Sequence, residues 1–139
     1  MKRTLCLSLA LLLSPLTSLH AEGVRKTIHF PRGQSAATLS NSVVRGDRDR
    51  YDITAKAGQT MTVKIRSVEN NAVFTLYQPG YQAKTEDGMP MIEGAALDGA
   101  GEGDDAMQWQ GTLPASGTYL IEVGGTRGNA SYKLTVGIK

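Results

Sequence analysis

The sequence has few of the residues on which catalysis, metal binding and covalent cross-linking depend. It contains one cysteine, two histidines and one tryptophan in 139 residues. Cys6 lies in the apolar N-terminal stretch, so the remaining chain offers neither a disulfide nor a thiolate nucleophile. His29 is the one histidine beyond that stretch, and no Gly-x-Ser-x-Gly nucleophile motif is present. These absences argue against an enzyme, and we expect His29 to face solvent from a strand.

The N-terminus carries a basic and then apolar segment that is typical of an export signal. Lys2 and Arg3 precede an apolar run over residues 5–13, which is shorter than the ~20 residues that a membrane span needs. Small residues then lead to Ala21, so we predict that residues 1–21 are a cleaved signal peptide. A cysteine-free exported domain favours a bacterial periplasm. With no second long apolar run, we expect no stable membrane association.

The charge balance argues against an overall electrostatic attraction to polyanions. The formal net charge of the whole chain is +2. Lys2 and Arg3 account for that excess, so residues 22–139 are neutral overall. A neutral domain has no overall basic field to attract nucleic acid or anionic lipid. We therefore expect no nucleic-acid partner.

Residues 22–139 are predicted to form one domain of the all-β class, a single-domain antiparallel β-sandwich. Short alternating runs are bounded by Gly, Pro, Asn and Ser, and no window of the length of a helix has a helical period. Turn signals recur every ~8–12 residues, which is typical of a sandwich or barrel. The second predicted strand is the weakest and is expected at a sheet edge. The predicted strands occupy residues 26–30, 35–44, 50–56, 60–67, 71–77, 107–113, 118–123 and 130–138.

The segment from Gln78 to Ala106 has no strand pattern and is predicted to be a long loop. Loops of this length in compact domains are usually functional or mobile. Its glycine-rich end has four carboxylates of the kind that bind Ca²⁺, in a spacing that matches neither an EF-hand nor a β-helix repeat. A solvated surface loop is the simpler interpretation and a calcium site the alternative; we otherwise expect no cofactor. The four acidic residues are Asp98, Glu102, Asp104 and Asp105.

Two tight turns flank the predicted strand 118–123. Pro114, Ser116 and Gly117 are typical of a turn into a strand, and the run 124–129 is typical of a hairpin turn. Backbone geometry alone explains these compositions, and Tyr119 then is a buried ring with its hydroxyl satisfied at a corner. The alternative is that both turns present side chains to another protein.

Four segments together resemble the periplasmic lysozyme inhibitors. They read FPRGQSAATLS, GDRDRYDITAKAGQ, LPASGTY and TRGNASYKLTVGI in chain order, and the resemblance extends from Ile28 to Ile138. The sequence is most similar to inhibitors of g-type lysozyme, and next to inhibitors of invertebrate-type lysozyme. It departs from the g-type pattern at 46–50, where that family is richer in aromatic residues, at Ser131, where the family has a second basic residue, and in the long segment 78–106.

The resemblance implies a β-sandwich whose surface turns occlude the active-site cleft of lysozyme. Ser116, Gly117 and Tyr119 would lie on the inserting turn and Arg127 on the neighbouring one. Hydroxyls and a guanidinium suit a cleft that binds sugar and contains a catalytic carboxylic acid. We therefore expect a partner that is a g-type or invertebrate-type lysozyme, and an inhibitor that is a monomer or homodimer. The alternative is a secreted β-sandwich binding module for glycan or protein, with or without calcium.

Overall fold

The computed structural model describes residues 23–139, so the predicted signal peptide lies outside the described residues. None of these residues is helical, and none therefore belongs to a helix long and apolar enough to cross a membrane. The ten strands are β1 (Arg25–Thr27), β2 (Ala36–Val43), β3 (Asp49–Ala55), β4 (Thr60–Ser67), β5 (Ala72–Tyr77), β6 (Gln82–Glu86), β7 (Met89–Glu93), β8 (Gln108–Thr112), β9 (Gly117–Gly125) and β10 (Ala130–Ile138).

Two four-stranded sheets form the sandwich, as the sequence predicts. Sheet A has the strand order β1-β3-β9-β5, and sheet B has the order β2-β10-β4-β8. The predicted edge position of β2 is confirmed. Every pair within the two sheets is antiparallel except β1 with β3, which pair in parallel over three residues.

The core lies between the two sheets and follows from the alternation of apolar residues along the strands. In β10, Leu134 and Val136 are fully buried while Lys133 and Thr135 are exposed. In β9, Tyr119 and Ile121 enter the same cluster of buried residues. Because removal of apolar surface from water is the main stabilising term in folding, this period of two fixes which face of each strand points inward.

The prediction of a strandless loop over residues 78–106 was wrong. β6 and β7 form a separate antiparallel hairpin, closed by Asp87 and Gly88 with φ of 49° and 76°. Positive φ at both positions is the signature of a type I′ turn, for which Asp-Gly is a preferred sequence. Nine of the ten strand residues in this hairpin are exposed. A ribbon without a buried face has no apolar alternation, which explains why the strand pattern is not visible in the sequence.

The rest of the long segment covers the outer edge of sheet A. The backbone N–H of Leu76 donates to Ala100 O at 2.9 Å, and that of Leu97 donates to Leu76 O at 2.9 Å. Further along β5, the N–H of Phe74 donates to Ala106 O at 2.9 Å. Leu97 and Ala100 are buried. The segment therefore satisfies the free edge of β5, where unpaired backbone groups invite aggregation.

Candidate functional site

The turn at Ser116 is held by contacts within the protein. Ser116 is exposed, and its Oγ accepts a hydrogen bond from Ala57 N at 2.9 Å. Gly117 has φ of 144°, and a Cβ there would lie 2.9 Å from Pro79 Cβ. Both residues therefore have a structural role. Ser116 joins its turn to that of Ala57, and Gly117 allows Pro79 to pack closely against the backbone.

Tyr119 is fully buried, with 0% of its surface exposed. Its hydroxyl donates to Ala115 O at 2.6 Å and accepts from Ala115 N at 3.2 Å. The expectation that Tyr119 offers its hydroxyl to a partner does not agree with this burial. The other interpretation, a buried ring whose hydroxyl is satisfied at a corner, is confirmed. The physical reason is the alternation along β9, which points Tyr119 and Ile121 into the core.

The turns at Ser116 and Arg127 lie at opposite ends of the sandwich. β9 joins them and has nine residues, which at ~3.3 Å per residue separates its ends by roughly 26 Å. The four residues singled out from the sequence therefore do not form one surface. Two groups of turns result, and only one of them contains Arg127.

Three turns meet at the Arg127 end, which we call the arginine end. They are residues 44–48, 68–71 and 126–129, and they share this end because Asp49 pairs with Val123 and Ala72 with Gly125. The sandwich thus brings together segments that are at least 20 positions apart in the chain.

Arg127 is exposed at the arginine end on a turn whose backbone is fixed. Its Nη2 donates to Glu69 O at 2.8 Å. Asn71, only 3% exposed, donates through Nδ2 to Arg127 O at 3.2 Å and to Asn129 O at 3.0 Å. Because a buried amide holds both carbonyls, the turn needs little further ordering when it binds a partner.

Two further arginines belong to the same end and were missed in the sequence. Arg45 N donates to Asn129 Oδ1 at 2.8 Å, which joins its turn to that of Arg127. Arg48 lies over Gly124, where a Cβ would be 2.8 Å from Arg48 Nε. The stretch 46–50 stood out from the sequence only as less aromatic than the family pattern. Arg45 and Arg48 gain meaning only once the fold brings their turn to the same end of the sandwich as the turn of Arg127.

The arginine end also exposes apolar side chains. Val44 is 52% exposed and Val68 is 98% exposed. Arginine beside apolar surface is the composition of protein–protein interfaces, where arginine is enriched among the residues that dominate binding energy. Each guanidinium can also bind a carboxylate through two parallel hydrogen bonds. This end is therefore suited to a protein partner that contains a carboxylate.

The acidic part of the long segment does not assemble a metal site. Within residues 23–139, no three His, Cys, Asp or Glu side chains are grouped so that they could hold a metal ion. Asp104 instead accepts a hydrogen bond from Gly101 N at 2.8 Å, which closes its own turn. Glu102 and Asp105 line a groove of about 250 Å³ beside Arg48. The geometry gives no support to the calcium alternative at Asp98, Glu102, Asp104 and Asp105.

The most buried polar cluster lies inside the sandwich around Asp49. Asp49 is 2% exposed, and its Oδ2 accepts from Tyr132 OH at 2.6 Å and from Asn41 Nδ2 at 3.3 Å. Its Oδ1 accepts from Val24 N at 2.9 Å. Tyr132 OH also shares a hydrogen bond with Tyr51 OH. Burial, and then the hydrogen bonds to Asp49 and Tyr51, raise the pKa of Tyr132.

This buried cluster joins β2, β3, β10 and the N-terminal segment, so its role is to hold the two sheets in one arrangement. The alternation along the predicted strands 50–56 and 130–138 points Tyr51 and Tyr132 inward, and it gives no signal for Asp49. His29 is exposed, as predicted, but the prediction that it lies in a strand was wrong, because β1 ends at Thr27.

A curated protein with significant sequence similarity to this chain is a lysozyme inhibitor. The chain is 34% identical over 122 residues to the inhibitor of g-type lysozyme of Escherichia coli K12. The matched region covers 86% of this chain and 81% of that protein. No protein-family profile matches the chain.

Solved structures agree with this relationship. The periplasmic inhibitor of g-type lysozyme from Aeromonas hydrophila is 35% identical, with a TM-score of 0.65, over 85% of this chain and 98% of that one. The corresponding inhibitor from Salmonella Typhimurium is 29% identical, with a TM-score of 0.58, over 84% of this chain and 99% of that one. The fold, the extent of the match and the identity together establish that this chain belongs to the family of inhibitors of g-type lysozyme.

Proposed function

We propose that this chain is a periplasmic inhibitor of g-type lysozyme that blocks the active-site cleft and does no chemistry of its own. The curated relative from Escherichia coli and the structures from Aeromonas hydrophila and Salmonella Typhimurium are inhibitors of g-type lysozyme, and those two structures are described as periplasmic. The basic and apolar N-terminal segment predicted to direct export is consistent with that location.

The inhibitory surface is the arginine end, and one observation carries this assignment. Three separate turns converge there and expose Arg45, Arg48 and Arg127, together with Val44 and Val68. Glycoside hydrolases of the lysozyme type use a catalytic carboxylic acid. A guanidinium that enters the cleft can pair with that acid, and the two valines supply apolar contact.

The turn at the opposite end supports the fold and is not the plug. Ser116, Gly117 and Tyr119 each make an internal contact that accounts for the residue present. We therefore assign these three as positioning residues of that turn, and Arg127 as the one residue among the four that contacts lysozyme. A stoichiometric complex of one inhibitor and one lysozyme follows from a single docking end.

The test uses purified protein from which the signal segment has been removed. This protein is titrated into lytic assays with g-type, invertebrate-type and chicken-type lysozymes. We expect saturable inhibition of the g-type enzyme near a ratio of one to one. Inhibition of the invertebrate-type enzyme alone would mean that the target is that enzyme, with the same mechanism of blocking the active-site cleft. No inhibition of any class would contradict the proposed function. Light scattering of the free protein and of the complex reads whether the inhibitor is a monomer or a homodimer.

A further inference from the structure

The outward face of sheet B, made by the exposed side chains of β2, β10, β4 and β8, carries basic charge and no acidic charge. None of the residues in these four strands is Asp or Glu. Lys64, Arg66 and Lys133 are exposed on this face. Its other side chains are mostly hydroxyls and amides, such as the paired Thr38 and Thr135 hydroxyls at 3.1 Å. The chain is nearly neutral overall, but the charged side chains on this face are all positive.

The basic residues of this face are arranged at a cost to folding. Arg66 and Lys133 are direct cross-strand partners on β4 and β10, and like charges in that position are destabilising. No ion pair within residues 23–139 includes Lys64, Arg66 or Lys133. On the outward face of sheet A, by contrast, Arg50 pairs with Glu122 at 2.9 Å. Sheet B thus carries a repulsion that an anionic ligand would relieve.

A groove runs across the same face. Gly137 has no side chain and Thr62 and Thr135 are short, which leaves room for the groove, and Lys64 and Gln110 also line it. Its volume is about 380 Å³, within the ~300–1,000 Å³ that is usual for ligand sites. A second recess of about 230 Å³ shares Thr62, Lys64 and Gln110 with it. The two together form an extended site, which suits a polymer better than a small molecule.

We propose that the outward face of sheet B binds the peptidoglycan of the cell wall, a glycan strand with carboxylated peptide stems. Hydroxyl and amide side chains hydrogen-bond to sugar hydroxyls and N-acetyl groups. Lys64, Arg66 and Lys133 pair with the carboxylates of the stems. The face has no exposed large apolar side chain to enter a lipid surface. Trp109 lines the second recess but is half-buried against the core, so it offers no exposed platform on which nucleic-acid bases would stack.

This inference rests on the proposed function, because it places the inhibitor on the polymer that its target cleaves. The face lies on the side of the sandwich, while the arginine end lies at the tip of the strands. The two surfaces involve different residues, so one molecule can hold the wall and lysozyme at the same time.

The experiment is cosedimentation of the folded protein with purified sacculi free of lipid and protein, at low and at near-physiological salt. We expect binding that weakens as salt rises, because exposed charges are screened. One variant removes three cations of the face by substitution to Gln, and a matched variant removes three exposed cations elsewhere. The first carries Lys64→Gln, Arg66→Gln and Lys133→Gln, and the second carries Lys26→Gln, Arg32→Gln and Lys56→Gln.

The first variant is expected to bind sacculi roughly tenfold more weakly, and the matched variant to bind as the parent does. Equal losses in both variants, or no binding of the parent, would overturn the proposal. Binding to anionic phospholipid vesicles or to RNA without binding to sacculi would overturn it too. Inhibition of lysozyme is read separately on a soluble substrate, where the first variant should act as the parent. If the parent protein binds sacculi but does not inhibit lysozyme, the proposed function fails and the proposal of sacculus binding stands.

Discussion

Ser116 and Arg127 flank the same strand, β9, and lie at its opposite ends, and β9 itself is roughly 26 Å long. They are eleven positions apart in the sequence and appear there as neighbouring turns. A rigid sandwich cannot insert both into one narrow cleft. The residue that contacts lysozyme is therefore expected at one end only, and substitutions at the two turns separate the possibilities.

We predict that Arg127→Ala and Arg48→Ala each weaken binding to g-type lysozyme by about 2 kcal/mol or more, on the scale of interface residues that dominate affinity. Each removes a guanidinium from the arginine end. Ser116→Ala should change binding by less than about 0.5 kcal/mol, as is usual for surface substitutions outside a site. Isothermal titration calorimetry measures all three, with Lys26→Ala as a control for lost surface charge. A large effect of Ser116→Ala with none at Arg127 would reverse the assignment.

Tyr119→Phe is predicted to lower the free energy of unfolding by about 1 kcal/mol and to leave lysozyme inhibition intact. The substitution removes the hydroxyl that both donates to and accepts from Ala115, and a typical hydrogen bond contributes about 1 kcal/mol. Urea denaturation gives the stability, and the lytic assay is run where both proteins are folded. Weakened inhibition at full folding would show that the corner at Ala115 takes part in binding.

Tyr132→Phe is predicted to be more destabilising, by about 1–3 kcal/mol. Asp49 is buried, and this change removes its shortest hydrogen bond, leaving Oδ2 with the 3.3 Å contact from Asn41. A buried carboxylate that loses a donor keeps its desolvation penalty. The control is Tyr81→Phe, which removes a hydroxyl bonded to the partly exposed Asp52. Equal effects of Tyr132→Phe and Tyr81→Phe on the urea midpoint would contradict a larger contribution of the buried cluster to stability.

Stability is predicted to fall above about pH 10. Burial, and then the hydrogen bond to Asp52, raise the pKa of Tyr81 to about 12, and the same kinds of cause raise the pKa of Tyr132. An unfolded tyrosine has a pKa of about 10. The folded state therefore holds its phenolic protons more tightly, so this contribution is complete below pH 10 and is lost as pH rises through about 12.

Urea unfolding at intervals from pH 8 to 12 tests that linkage. Tyr81→Phe should show a shallower decline between pH 10 and 12, because the substituted ring has no proton to lose. An unchanged slope in that variant would mean that Tyr81 does not contribute to the alkaline loss of stability.

The strands of the sandwich were predictable because each buries one face. Alternation along β4, β9 and β10 is strong, and the structure confirms all three. The hairpin of β6 and β7 was not predictable from alternation, because neither of its strands has a buried face. Its Asp87-Gly88 turn was the available signal, and the residues on either side did not support it.

The candidate site was predictable in its residue types and not in its arrangement. Sequence pattern singled out Arg127 and the turn at Ser116, and it left open whether Tyr119 is buried. It gave no reason to group Arg45 and Arg48 with Arg127, since about 80 residues separate them in the chain. The hydrogen bond from Arg45 N to Asn129 is the contact that joins those turns.

The sequence by itself determined the class of fold, the family and the inward face of the main strands, because these depend on local alternation and on recognisable segments. The tertiary structure alone decided which turns share an end of the sandwich and which cations share a face. That outcome depends on strand order and register, which arise from pairings between distant segments. Val123 beside Asp49 and Lys133 beside Arg66 are two such pairings, and no local pattern encodes them.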